Sequence, residues 1–194
     1  MKEQTKVLEV KKIKEPKQME IFEISFLEEG KLKKKEVAKS ANVVKILIYH
    51  KEKNAFVLVK QFRPLVYLKY PEYAVRYELC GGREDDKEGL TSEEIAKEEV
   101  LEETGYRVKE IQKITTLFTG GKMTLYYTEV DESMRETKGG GLDYETIDVF
   151  YLPVNEAEKF MFDETIPKRP GLMFAFCWFF NMRKQAIFSS SQKS

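Results

Sequence analysis

The chain has 194 residues, enough to bury a hydrophobic core in one large domain without disulfide or metal staples. Its 33 Lys and Arg balance 33 Asp and Glu, so it lacks the basic excess of a nucleic-acid binder, and no nucleic-acid partner is expected. Two cysteines are too few for a disulfide framework and favour a reducing, cytoplasmic setting; the longest apolar run, Leu172 to Phe180, falls far short of the roughly 20 residues that cross a bilayer, which argues against a membrane partner.

In the first forty residues "IFEISFL" and "EVAKS" read as strands of a hairpin around Gly30, with "KLKKKE" (31–36) as a solvated turn between them. "VVKILIYH" and "AFVLVKQF", separated by "KEKN", read as two core strands. His50, the only histidine, ends the first of these beside "KEK" and is expected to be solvated. "VRYELC" then leads into Gly81 and Gly82, with Cys80 as a small core residue and not a nucleophile, since no basic partner stands near it in sequence. A polar loop follows, and a helix begins at Thr91. "ITTLFTG", "MTLYYTEV" and "IDVFYLP" supply further strands, with "GGG" (139–141) as a flexible loop before the last. "NEAEKFMF" and the segment after Gly171 read as helices, the latter buried, and "SSSQKS" as a disordered tail. Strands dominate, so the expected class is α+β, a mixed sheet packed between helices.

The central helix carries the chemistry. Thr91-Ser92-Glu93-Glu94 fits a capping box and Gly105 is a natural stop. At about 100° per residue, Glu99, Glu102 and Glu103 share an arc with Ile95, Ala96 and Val100, whereas Glu94, Lys97 and Glu98 lie on the other side. Like charges one turn apart repel, and burial raises that cost. Two readings are open: an exposed glutamate-rich helix, or carboxylates converging on a hard divalent cation such as Mg²⁺. The double glycine allows close backbone approach and a peptide carbonyl ligand.

The stretch from Gly82 to Tyr106, "GREDDKEGLTSEEIAKEEVLEETGY", resembles the Nudix box, Gly-x5-Glu-x7-Arg-Glu-U-x-Glu-Glu-x-Gly-U, with U a bulky apolar residue. Glu99, Val100, Glu102, Glu103, Gly105 and Tyr106 occupy their places. The first half departs: two extra loop residues put Leu90 in register with the motif's first Glu, for which Glu88 is the substitute if the insertion is absorbed after it, and Glu98 stands at the motif Arg. "VLVKQFRPLVY", "YELCGG", "LYYTEV", "GGGLDYETIDVFYLP" and "IPKRPGLMFAFCWF" look like segments of the animal Nudix UDP-sugar diphosphatases, a branch of the ADP-ribose diphosphatase-like group that tolerates both departures.

That resemblance implies a Nudix fold, an α/β/α sandwich over residues 42–184, preceded by an N-terminal β extension (1–41) that forms a homodimer and followed by a tail (185–194). It implies Mg²⁺-dependent hydrolysis, with Mn²⁺ as a substitute, of UDP-glucose and related small-molecule nucleoside diphosphate sugars (NDP-sugars) to nucleoside monophosphate and sugar 1-phosphate. Within the same class the rival is an ADP-ribose diphosphatase; from another class, a Nudix nucleotide-binding module without hydrolysis, which Glu98 keeps in play. By resemblance Glu99 and Glu103 are the principal metal ligands, Glu102 a shared or supporting ligand with a catalytic part, and the Gly81 carbonyl a backbone ligand. Glu145 on the "GGGLDYETIDV" loop is the expected base, with Asp143 as the alternative, and Arg63 the diphosphate-binding arginine. Glu78 either lines the same cleft as a substrate contact or serves as a structural hydrogen-bonding group.

Overall fold

Strand β3, Val43–His50, sends Val44, Ile46 and Ile48 to one face of a sheet and Leu47 and Tyr49 to the other, and every one of these side chains is buried. A strand buried on both faces sits mid-sheet with layers above and below. The computed structural model describes residues 5–12, 15, 19–142 and 145–191. Its main sheet has six strands: β3, β4 (Ala55–Phe62), β5 (Val75–Glu78), β6 (Gln112–Phe118), β7 (Lys122–Val130) and β8 (Ile147–Pro153). They run β5-β4-β3-β7-β6, with β8 also pairing β4; β3 and β7 are parallel and the other pairs antiparallel.

Helix α2 (Ser92–Thr104) covers one face with Ile95, Ala96 and Val100 against Val44, Ile46 and Val57. Helices α3 (Ala157–Phe162) and α4 (Pro170–Ser191) cover the other, where Phe176 stacks on Phe56 at 4.5 Å between ring centroids. A four-residue helix α1 (Pro64–Tyr67) follows β4. The predicted mixed sheet between helices is therefore present. Among the described residues no helix is long and apolar enough to cross a membrane.

The N-terminal strands β1 (Ile21–Glu28) and β2 (Lys31–Ala38) form a separate two-stranded sheet. Three local expectations need correction. "KLKKKE" is strand β2 itself rather than a turn, because Glu29 and Gly30, both at positive φ, make the reversal alone. Helix α4 runs on to Ser191, through most of the expected tail; residues 192–194 lie outside the described residues. His50 is fully buried, not solvated: its ring packs edge-on against Tyr106 and Tyr151, the Lys53 amide donates to Nδ1, and Nε2 faces Glu132 at 3.2 Å.

Candidate active site

The site begins with a gap in the sheet. β3 and β4 pair only over Ile48–His50 and Ala55–Val57, and beyond that they diverge. The chain leaving β5 enters the opening: Ile46 donates its N–H to Cys80 O at 2.8 Å and Val44 to Gly82 O at 3.0 Å. The double glycine is thereby stitched to the start of β3, directly under α2. A Cβ on Gly81, which has φ 138°, would fall 2.2 Å from the Val44 carbonyl oxygen, so only glycine lets the two backbones come this close.

Helix α2 forms where the sequence places it. The Thr91 hydroxyl accepts from the Glu94 amide at 3.3 Å, the Glu94 carboxylate accepts from the Thr91 amide at 2.8 Å, and Gly105 closes the helix at φ 82°. Glu99 and Glu103 are buried, 8% and 6% exposed, and Glu102 is half-buried beside them. Burial pushes the Glu99 carboxyl above its ordinary range. It lifts Glu103 to about 7, against the nearby Lys45 ammonium and the Gly81 amide, which donates to Glu103 Oε2 at 2.9 Å. A buried surplus of negative charge is the electrostatic condition under which a cation binds.

Two lysines answer that surplus. Lys45, buried in β3, donates to Gly81 O at 2.6 Å. Lys87, in the loop that carries the two extra residues, puts its ammonium 3.2 Å from Glu98 and Glu99 and 3.1 Å from both Glu102 oxygens. Burial alone would lower the Lys87 pKa, but the surrounding carboxylates raise it, so it stays charged. Among the described residues no three His, Cys, Asp or Glu side chains by themselves close around a metal position. The Lys87 ammonium takes the space between Glu99 and Glu102, and the Gly81 amide holds Glu103. The donors are all hard oxygens, three carboxylates and a carbonyl, and an ammonium already contacts three of the four: Lys87 at Glu99 and Glu102, and Lys45 at Gly81 O. That set suits a divalent metal with some waters retained.

Arg63 and Glu78 form a second unit. Arg63 Nε and Nη2 reach the two Glu78 oxygens at 2.9 and 2.6 Å, and Arg76 Nη2 adds a bond at 3.0 Å. Burial pushes Glu78 up, but the Arg63 hydrogen bonds and the charges of Lys45, Arg63 and Arg169 outweigh it and hold it at about 2. Glu78 is thus 1% exposed and spent on arginines, which favours the structural alternative for this residue.

A cavity of about 280 Å³ gathers Arg63, Lys87, Glu99, Glu102, Glu103 and Glu145 around the Gly81–Gly82 backbone. Glu145 reaches it from the loop before β8, where its amide donates to Leu142 O at 2.8 Å. Asp143 lies outside the described residues. Glu88 is exposed, whereas Glu84 takes an inward place, accepting from Ser92 Oγ at 2.8 Å and pairing with Lys122 at 2.8 Å. Sequence reasoning missed Lys45, Lys87 and Glu84. Only Lys45 left a signal, a charge inside the apolar run "VVKILIYH". A wider hollow of about 870 Å³ beside Lys51, Arg107 and Lys109 holds none of the predicted residues.

Glutamates one turn apart on a capped helix, facing a glycine pair and the cationic side chains of Lys45, Lys87 and Arg63, define a site for metal-assisted chemistry on an anionic substrate. A family model described as the NUDIX domain matches residues 39–171, and the chain belongs to this family of hydrolases. It is 32% identical over 192 residues to the uridine diphosphate glucose pyrophosphatase NUDT14 of Bos taurus, covering 81% of this chain and 86% of that one. It is 36% identical over 129 residues to the GDP-mannose pyrophosphatase of Cronobacter sakazakii, covering 64% and 66%. An ADP compounds hydrolase of known crystal structure shares the fold, with a TM-score of 0.66 over 93% of this chain and 95% of that one at 13% identity. Nudix hydrolases as a family use divalent metal ions.

Proposed function

We propose that this protein hydrolyses the diphosphate linkage of UDP-glucose and related NDP-sugars, releasing nucleoside monophosphate and sugar 1-phosphate, with Mg²⁺ as the working cation. The observation that carries this reading is the buried carboxylate pair Glu99 and Glu103 set against the Gly81–Gly82 backbone. Relatives named for UDP-glucose and GDP-mannose favour a nucleotide sugar over ADP-ribose.

Glu99, Glu103, Glu102 and the Gly81 carbonyl would hold the metal, which when bound neutralises diphosphate charge and lowers the pKa of water. The remaining tasks fall to the chain. Glu78 takes the Nε–Nη2 edge of Arg63 and so fixes the guanidinium, whose remaining terminal N–H groups donate to phosphate oxygens. Glu145 accepts the proton of the attacking water. Glu145→Gln should lower kcat on the order of 10²–10⁴-fold; an unchanged kcat with weaker affinity would reassign Glu145 to binding. The N-terminal hairpin of β1 and β2, within an extension spanning residues 1–41, joins a second copy to make a homodimer. The free Cys80 and Cys177 suit a reducing compartment, and we assign the protein to the cytoplasm.

The test is product formation from UDP-glucose and ADP-ribose in parallel, with Mg²⁺ and with EDTA, for wild type and Glu103→Gln. Expected is Mg²⁺-dependent turnover preferring UDP-glucose, with a loss in the variant beyond the roughly 10–100-fold typical of groups that only support a metal ligand. Preference for ADP-ribose would keep the chemistry and change the substrate. Ligand binding without turnover of either would make this a nucleotide-binding module.

A further inference from the structure

The cavity that holds the carboxylates is too small and too charged for a whole nucleotide sugar. Its roughly 280 Å³, walled by Arg63, Lys87, Arg169 and the glutamates, accommodates a diphosphate with the start of the group at one end, so the other end of the substrate must lie elsewhere. A second cavity of about 530 Å³ adjoins it and shares Val43, Lys45 and Arg169 as a common wall. Its character is different. Leu117 of β6, Met123 of β7 and Leu172 and Phe174 of α4 form its apolar sides. Three of its polar side chains have partners: Lys45 on Gly81 O, Lys122 on Glu84, and Glu78 on Arg63 and Arg76. Phe174 is 43% exposed, a large ring presented at the edge of this hollow while its helix neighbours Ala175 and Phe176 are buried in the core.

A hexose carries hydroxyls around its whole rim and would leave many of them unpaired against such walls, at a cost for each. A nucleobase has two flat apolar faces and gains by stacking on an aromatic ring. The far side of the smaller cavity, with Gln61, Arg83 and Glu145, offers the polar partners a sugar needs. We propose that the cavity between the start of α4 and the β6–β7 hairpin receives the nucleoside of the substrate, with Phe174 as its stacking face, so that the sugar points toward the Glu145 loop. This rests on the assignment of nucleotide sugars as substrates.

Equilibrium binding of the two products, each separately, tests it without reference to turnover. UMP and glucose 1-phosphate would be titrated calorimetrically, in Mg²⁺, into wild type, Phe174→Ala and Phe174→Tyr. The exposure of Phe174 makes its truncation compatible with folding. The expected result is a Kd for UMP raised about tenfold in Phe174→Ala and near wild type in Phe174→Tyr, with glucose 1-phosphate unaffected. Weakened glucose 1-phosphate binding instead would reverse the orientation and overturn the proposal, as would UMP binding that is absent from wild type or indifferent to Phe174. If UMP binding depends on Phe174 but no nucleotide sugar is hydrolysed, the cavity assignment stands and the proposed activity falls. Hydrolysis with UMP binding indifferent to Phe174 gives the converse.

Discussion

Lys87 shows how much a single side chain can decide. Its ammonium contacts Glu98, Glu99 and Glu102, so it relieves a repulsion that the metal-free helix would otherwise carry. The same oxygens are those proposed to bind Mg²⁺, and two cations cannot use them at once. Whatever Lys87 contributes to the metal-free protein is therefore subtracted from its affinity for metal. Lys87→Met should lower the melting temperature in EDTA and tighten Mg²⁺ binding about fivefold or more, the scale of an ordinary coupling energy. A lysine that merely braced the loop would, when removed, weaken both, and calorimetric titration with Mg²⁺ separates the outcomes. Glu78 makes a prediction of the other kind. Its folded pKa, about 2, lies below the ordinary 4.5, so the native state binds its proton less readily than the unfolded chain. Its stabilisation is complete above pH 4.5 and drains away as pH falls toward 2. Glu78→Gln, which keeps the shape and removes the charge, should cost roughly 3–5 kcal/mol near neutral pH by leaving Arg63 and Arg76 unpaired. The difference in melting temperature from wild type should shrink between pH 4.5 and 2; a constant difference would mean that the charge on Glu78 is not what matters.

At the scale of elements, helix α2 was the most legible part of the chain because its signals are local. The capping box, the glycine stop and the angular spacing of the glutamates act within a few residues, and the burial of Glu99 and Glu103 follows the arc that spacing assigned them. Thr91→Ala removes one partner of the box and should destabilise the fold by about 1 kcal/mol, a fall of roughly 2–4 °C in a domain of this size. Turnover at 25 °C should be unchanged, since Glu99, Glu102 and Glu103 sit on the second half of the helix; a fall in kcat would mean that the cap also sets their placement. The misread elements depended on what lay across from them. "KLKKKE" has the composition of a solvated turn, yet every one of its residues pairs across to β1, from Glu28↔Lys31 to Glu23↔Glu36. The charged sequence neighbours of His50 suggest solvation, whereas Tyr106 and Tyr151, 56 and 101 positions away in the numbering, pack edge-on against its ring and bury it. Lys87 was invisible for the same reason. The path of its loop is set by contacts such as Glu84 with Asn42 and Ser92, not by its own composition.

For the whole molecule the open question is what the N-terminal hairpin is for. Paired strands β1 and β2 constitute a sheet of their own, and a lone two-stranded hairpin is marginal in water. This one also presents Phe22, Ile24 and Val37 at 48%, 49% and 37% exposure, and the antiparallel register sets Phe22 opposite Val37 on the face shared with Ile24. An apolar face on an otherwise unsupported element makes sense if a second copy covers it, because burial of that face then stabilises fold and assembly together. Multi-angle light scattering on the full chain should give a mass about twice 22.8 kDa, and Phe22→Glu combined with Ile24→Glu should return it to the monomer. Both substitutions are at exposed positions outside the main sheet, so the Nudix domain itself should keep its melting transition. If wild type instead scatters as 22.8 kDa at every concentration, the hairpin has no partner in a second copy and the dimer assignment is lost, while the site, whose lining residues fall within 43–169, is untouched by that result.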